Sequence, residues 1–289
     1  MNNKNIVKLN YNLLRCLACK SDLSLNESYL KCNNCSKEYR LASDGTPIML
    51  PKGFKMRDDM DRKPSWLAKF VPSGKYPGIN IGFQQHDFVN YVYEKLDEPL
   101  ILNVESGGTD FEKPVINLDI YNGKNIDIVA DGHFLPFENE SIDALFCDSI
   151  LEHVDNPWKM VDEFFRVLKT GGFIYVVVPF IFPYHESPID CWRFTTDGLK
   201  RLLGSFETIK SGYLKGPVST YARITAEFFA IVLSFNIPIL RKVIDALSRI
   251  ILHPLTYADY LFIKFDHASY VASGAYMLGK KPKNSPIEK

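Results

Sequence analysis

The sequence predicts an α/β fold: a mostly parallel sheet flanked by helices, with a small metal-clasped head and a helical insertion near the carboxyl end. Three observations predict it. From about residue 83, short apolar runs alternate with stretches of helical spacing, the pattern of strands joined by helices. Cys16-Leu17-Ala18-Cys19 and Cys32-Asn33-Asn34-Cys35 form two CxxC pairs. Between two late strand-like runs lies a long apolar segment with helical periodicity. Composition agrees. Of 289 residues, 46% are hydrophobic and 24% charged, which is ordinary for a globular chain and too apolar for a disordered one. Lys plus Arg and Asp plus Glu each number 34, and this zero net charge argues against a protein that holds nucleic acid mainly through phosphates.

The organisation read from the chain is a zinc ribbon over 1–50, a linker over 51–80, and an α/β domain over 81–284 with a helical insertion over 217–266. Two thiolates on one CxxC turn bind one ion, and a second such turn completes a tetrahedral sulfur site suited to Zn²⁺. Cys16, Cys19, Cys32 and Cys35 are therefore the expected metal ligands, and four thiolates leave no open position, so the ion is structural. Leu23, Leu25, Tyr29 and Leu30 supply the apolar side chains of a hairpin between them, with Asn26, Glu27 and Ser28 at its turn. This segment resembles the zinc ribbons fused to, or partnering, methyltransferases of tRNA, rRNA or release factors. Pro51, Pro64, Pro72 and Pro77 mark the linker.

In the α/β region the expected elements follow in order: a helix from Phe88 to Leu96, strands at Leu100–Val104, Val115–Ile120, Ile126–Val129 and Ile142–Cys147, then a helix from Trp158 to Leu168 ending at Gly171-Gly172. Phe173–Val178 reads as a fifth strand, apolar throughout as one covered on both faces should be. Phe206–Ile209 and Gly274–Gly279 follow as sixth and seventh. In such sheets ligands bind beyond the carboxyl ends of the strands, where Ser106 to Asp110, Asp119, Asp131 and Asp148 fall.

Ile101 to Gly108, Ile116-Asn117-Leu118-Asp119, Asp131-Gly132-His133-Phe134-Leu135-Pro136-Phe137, Ser141 to Cys147, Leu151-Glu152-His153-Val154 and Arg166 to Gly172 together resemble the type-11 family of class I S-adenosylmethionine-dependent methyltransferases, across roughly residues 98–212. The resemblance implies a Rossmann-like sheet and S-adenosyl-L-methionine as cofactor. It implies a cofactor site of Glu105, Gly107, Gly108, Asp119, Asp131, Gly132 and Asp148. Asp119 fits a carboxylate accepting both ribose hydroxyls, or else a turn former. Asp131 falls beside the adenine amine, or is a turn aspartate. Gly107 and Gly108 admit the cofactor to the backbone, or form a plain turn.

Two departures stand out. Glu105 replaces the family's glycine, where it either crowds the amino-acid end of the cofactor, forms a salt bridge or accepts the cofactor's ammonium. Residues 105–114 are too few for the usual crossover helix. Asp148 and Ser149 face the methyl-transfer region, while Glu152-His153 is expected to structure the start of the next helix. The resemblance puts Tyr184–Phe194 where acceptors bind. There His185 could take a proton from the acceptor and Asp190 orient it, or both could brace the loop with Arg193. His185, Asp190 and Asp148 are the catalytic candidates. Cys147 and Cys191, without CxxC partners, are not expected as ligands.

In the insertion, Leu240, Val243, Ile244, Leu247, Ile250 and Ile251 share one helical face and Arg241, Lys242, Asp245, Ser248 and Arg249 the other. A cap packed on the sheet is one reading; a membrane-surface helix or lid over 228–252 is the other. Phe228–Leu240 contains Ser234, Asn236 and Pro238 and falls short of the ~20 residues of a membrane span. The first twenty residues lack a signal-like apolar run, so a cytoplasmic location, with peripheral membrane contact as an option, is expected. The expected activity is methyl transfer to an oxygen or nitrogen of a small, glycan-like or lipid-linked acceptor. An rRNA or tRNA methyltransferase and a non-catalytic binding module are the alternatives.

Overall fold

Strand alternation builds the sheet. In β5 (Ile101–Val104), β8 (Ile142–Asp148) and β9 (Leu168–Pro179), successive apolar side chains enter opposite faces. Ile101, Ala144, Phe146, Phe173, Tyr175 and Val177 line one face; Leu102, Val104, Leu145, Cys147, Ile174, Val176 and Val178 line the other. The computed structural model describes residues 10–54, 80–185, 189–262 and 264–283. Most of the linker expected over 51–80 lies outside the described residues.

The amino-terminal head is a three-stranded antiparallel sheet, β1 (Leu23–Asn26), β2 (Tyr29–Cys32) and β3 (Glu38–Arg40). Leu30 is buried as the hairpin reading requires, whereas Leu25 points outward. The head continues into β4 (Ile48–Met49), which pairs in parallel with β7 (Ile128–Ala130) and forms one edge of the large sheet. Leu14, Cys16, Leu30 and Tyr39 share a core with Leu135, Phe137, Met160 and Phe164, so the head is welded to the α/β layer.

With β6 (Ile116–Asp119), β10 (Glu207–Tyr213) and β11 (Gly274–Lys280), the large sheet runs β10-β11-β9-β8-β5-β6-β7-β4. Strands β4 to β9 pair in parallel, and β11 runs antiparallel to both its neighbours. The Rossmann-like expectation holds. The chain leaves β5 toward β6 and β7, then returns to the other side of β5 as β8, which makes the carboxyl ends of β5 and β8 the point where the order reverses.

Helix α1 (Gln85–Lys95) covers one face through Phe88, Val89 and Val92. Helix α2 (Pro157–Val167) starts with Pro157 after Asn156, whose side chain accepts from Lys159 N, and it packs Met160, Val161, Phe164 and Val167 on the other face. Strand β9 begins at Leu168, five residues before the expected start. Leu168 pairs with Ile142, and the backbones of Gly171 and Gly172 exchange bonds with Lys281, so the glycines lie within the sheet. Helix α3 (Thr196–Leu202) adds Leu199 and Leu202 to the α2 face.

No helix joins β5 to β6. Instead Phe111 from the short connection packs edge-on against Phe146, and a buried polar chain holds the loop: Asn103 donates to Asn117 (3.0 Å), whose amide donates to the carbonyls of Thr109 and Asn125.

The insertion is an antiparallel hairpin of α4 (Pro217–Leu233) and α5 (Pro238–Leu252), followed by the short α6 (Asp259–Phe262). Helix α4 has no side-chain cap of its own at Gly216. Asp259, fully buried, supplies one by accepting from Val218 N (2.8 Å) and Ser219 N (3.0 Å). The sheet-packed cap is not what forms. In α5 Asp245, Ser248 and Arg249 of the polar stripe turn inward, Asp245 meeting Arg223 of α4 and Arg249, while the exposed Arg241 meets Glu227 at the rim. The apolar stripe faces outward, with Leu247 54% and Ile251 72% exposed. No helix among the described residues is long and apolar enough to cross a membrane.

Candidate functional site

The four CxxC sulfurs gather at the head. All four lie within 4.8 Å of one another, with Cys16–Cys35 at 3.5 Å and Cys19–Cys32 at 3.4 Å. Four sulfurs about 2.3 Å from a tetrahedral ion stand about 3.8 Å apart, so the donor set fits Zn²⁺. Around it, Asn34 N and Cys35 N donate to Cys32 Sγ, and Tyr39 Oη lies 3.2 Å from Cys16 Sγ while accepting from Leu17 N. Bonds of this kind steady thiolates and their loops. Cys147 is buried within the sheet and Cys191 is exposed; neither joins the quartet.

The second site is built at the order reversal, from the residues that follow β5, end β6, follow β7 and end β8. Glu105, Asp119, Asp131 and Asp148 occupy those places because each strand stops there. The turn after β5 is left-handed, with Glu105 at φ 54° and Gly107 at φ 55°; the direction a Gly107 side chain would take is open space. Gly108 is packed instead, a Cβ there falling 2.3 Å from the Lys124 carbonyl oxygen. A Cβ at Gly132 would fall 2.7 Å from Met160 Cε and 3.1 Å from Val104 Cγ1, so a side chain there requires the Met160 tip to shift.

Asp119 faces the glycine turn: Gly107 N donates to Oδ2 (2.8 Å) and Tyr121 N to Oδ1 (3.0 Å). Each oxygen keeps a second lone pair, so the turn-forming role and hydroxyl acceptance coexist. Burial raises its pKa, against bonds from Tyr121 and Gly107. Asp131 Oδ1 accepts from His133 N (2.9 Å) and lies 2.7 Å from His133 Nδ1; burial works to raise its pKa, but the His133 bonds outweigh burial and lower it.

Glu105 reaches between these two. Its residue is partly exposed at the surface, yet its carboxyl is enclosed, and burial followed by the charges of Asp119 and Asp131 pushes it well above the usual carboxylate range. Ile120 N donates to its Oε2 (3.4 Å). Three carboxyl groups thus lie together at the strand ends, a setting that favours an incoming cation. The donor set fits S-adenosylmethionine, which brings hydroxyls for Asp119 and positive charge for the acidic group.

On the other side of the reversal, Asp148 accepts from Gln85 Nε2 (2.6 Å) and Ser149 Oγ (2.8 Å), and burial raises it despite those bonds. Nothing in the sequence pattern singled out Gln85, which reaches Asp148 from the first turn of α1. Asp190 is gripped by both terminal nitrogens of Arg193 and accepts from His185 N (2.8 Å), while His185 Nδ1 stands 3.5 Å away. That is the loop-bracing geometry. His185 is lowered by burial and then by His153, so its ring stays neutral near pH 7.

Glu152 and His153 do not start a helix, since α2 begins at Pro157. Glu152's backbone oxygen accepts from Cys191 N and Trp192 N, its side chain is fully buried, and burial pushes it up to about 8. The unusual signal in the sequence was an acid beside a histidine just after a strand that already ends in Asp148.

Fold and site define a class. Residues 102–176 match the family described as Methyltransferase domain. Among relatives, an uncharacterised protein of Methanocaldococcus jannaschii is 31% identical over 110 residues, 38% of this chain and 47% of that one. An uncharacterised methyltransferase of Mycolicibacterium vanbaalenii is 42% identical over 43 residues, 15% of this chain and 17% of that one. The chain therefore spans about half the length of the first relative and under a fifth of the second. A phosphoethanolamine N-methyltransferase of Haemonchus contortus, solved with S-adenosyl-L-methionine, overlays with a TM-score of 0.42 at 14% identity, covering 82% of this chain and 62% of that one.

Proposed function

We propose that the protein is an S-adenosylmethionine-dependent methyltransferase acting on an oxygen or nitrogen of a lipid-linked acceptor, its head clasped by a structural Zn²⁺. The convergence of Glu105, Asp119 and Asp131 beside an open glycine turn is the observation that carries the cofactor reading. When bound, the cofactor supplies a methyl group already activated by its sulfonium. The chain's part is then positioning: Asp119 orients the ribose, Asp131 sits by the base, and Asp148 lies toward the acceptor side. What supports a lipid-linked acceptor is the outward apolar stripe of α5 and the exposed hairpin tip, where Phe235 is 81% and Ile237 51% exposed. Zero net charge speaks against RNA.

Calorimetry on the full chain tests the cofactor reading. S-adenosylmethionine is expected to bind, and Asp119→Asn to weaken it about tenfold, ~1.4 kcal/mol. A folded wild-type chain that releases no binding heat at any of several temperatures sinks the enzyme and leaves the binding-module reading.

A further inference from the structure

The methyl-transfer reading makes no use of the buried group beside Asp148. Neither carboxylate oxygen of Glu152 has a hydrogen-bond partner among the described residues, although the side chain is fully buried. A carboxylate in that position is costly unless something positive or protic meets it. Two imidazoles flank it. His153 Nε2 stands 3.6 Å and His185 Nε2 3.8 Å from Glu152 Oε1, too far for hydrogen bonds. The rings meet edge to face with centroids 4.8 Å apart.

The tautomer of His153 is fixed by its other side. Nδ1 lies 2.5 Å from the Ile189 carbonyl oxygen, which only accepts, so in the neutral ring Nδ1 carries the proton and Nε2 presents a lone pair toward Glu152. A lone pair aimed at an ionised carboxylate repels it, and either a proton on the carboxyl group or a metal cation between the two relieves that repulsion. The Nδ1–H to carbonyl bond is also the usual way a metal-binding histidine is oriented. The nearby Arg193 is committed elsewhere, to Asp190 and to the carbonyls of Trp192 and Pro183.

We infer that Glu152, His153 and His185 form a second metal site, distinct from the cysteine quartet and built for a divalent transition ion. One donor atom from each lies within 4.8 Å of the others. Ligands about 2.1 Å from a tetrahedral ion stand about 3.4 Å apart, so the two glutamate–histidine separations need shifts of only a few tenths of an ångström, and the histidine–histidine pair, within 4.8 Å, at most about 1.4 Å. Two imidazole nitrogens and one carboxylate suit Zn²⁺, Mn²⁺ or Fe²⁺ and not Ca²⁺, which takes oxygen ligands. Three protein donors leave a position open for water or an acceptor oxygen. One consequence rests on the methyltransferase reading. An acceptor hydroxyl at that position gives up its proton to solvent more readily. Its oxygen then forms the bond to the methyl carbon while the sulfonium sulfur keeps the electron pair of the broken bond.

The test uses the full chain with its quartet loaded with zinc and no cofactor added. Titration with Mn²⁺, followed by loss of the free-ion electron paramagnetic resonance signal, and with Zn²⁺, followed by competition with a chelating dye, is expected to show one further ion per chain. Glu152→Gln and His185→Ala are each expected to weaken that uptake about tenfold or more. His185 is partly exposed, so its variant keeps the test sound if Glu152→Gln misfolds. Uptake of neither ion by folded protein overturns the inference, as does uptake that His185→Ala leaves unchanged. Failure of the cofactor titration does not touch this result, because the ions are measured without it.

Discussion

Glu105 is where one residue sets the character of the site. A non-glycine side chain sits at φ 54° and its carboxyl is enclosed between two acids, two costs at one position. Its folded pKa is raised above the unfolded value, so the folded chain holds a proton that the unfolded chain has lost. Stability from this group is therefore fully present below the unfolded value near 4.5 and declines as pH rises from there toward the folded value. The slope approaches ~1.4 kcal/mol per pH unit for one proton. Glu105→Gln, which keeps the shape without the titration, is expected to be more stable than wild type at pH 8 and to lessen the decline; urea unfolding at pH 5 and pH 8 reads both. Equal slopes in the two proteins would show that the carboxyl is hydrated.

Among elements, the head and the insertion depend on the rest of the chain in opposite ways. The head donates an edge strand, Ile48–Met49, and shares the core below α2. Stripping the Zn²⁺ proposed for its quartet should therefore lower the melting temperature of the whole chain in one transition, by several degrees, rather than release a separate unit. Differential scanning calorimetry with and without a strong chelator checks this, and an unchanged main transition would mean that the ribbon is a detachable module. The insertion receives its cap from forty residues away. Asp259→Ala removes both acceptors from the first turn of α4 and leaves Val218 N and Ser219 N without them, so a loss of about 1–2 kcal/mol is expected. Hydrogen exchange should quicken across α4 and α5 and stay unchanged in β8 and β9; uniform quickening would contradict a local role.

At the scale of the whole molecule, the sheet end gathers Glu105, Asp119, Asp131 and Asp148, and the α4–α5 hairpin turns its apolar stripe outward. Leu247→Glu combined with Ile251→Glu should leave the melting temperature within about a degree, since both side chains are exposed, and should abolish flotation with liposomes that contain anionic lipid. If wild type stays at the bottom of the gradient, the apolar stripe serves something other than a lipid surface. A large drop in melting temperature of the double variant would mean instead that the stripe is covered within the chain.

Much of this was written in the order of residues. Cysteine spacing, strand alternation and the acids at strand ends are local patterns, and local chemistry fixes them: a CxxC turn closes on one ion, and a strand stops where its apolar run stops. The missing β5–β6 helix was equally legible, because chain length bounds what a connection can hold. What could not be read there depends on neighbours far apart in the chain. The period of α5 gives two faces but not which one meets α4, and that was decided by Arg223 and Glu227 pairing with the polar stripe. Glu152 looked like the start of a helix until folding buried it beside His185, thirty-three residues on, because burial and the direction of a lone pair belong to the packed arrangement and not to the sequence around them.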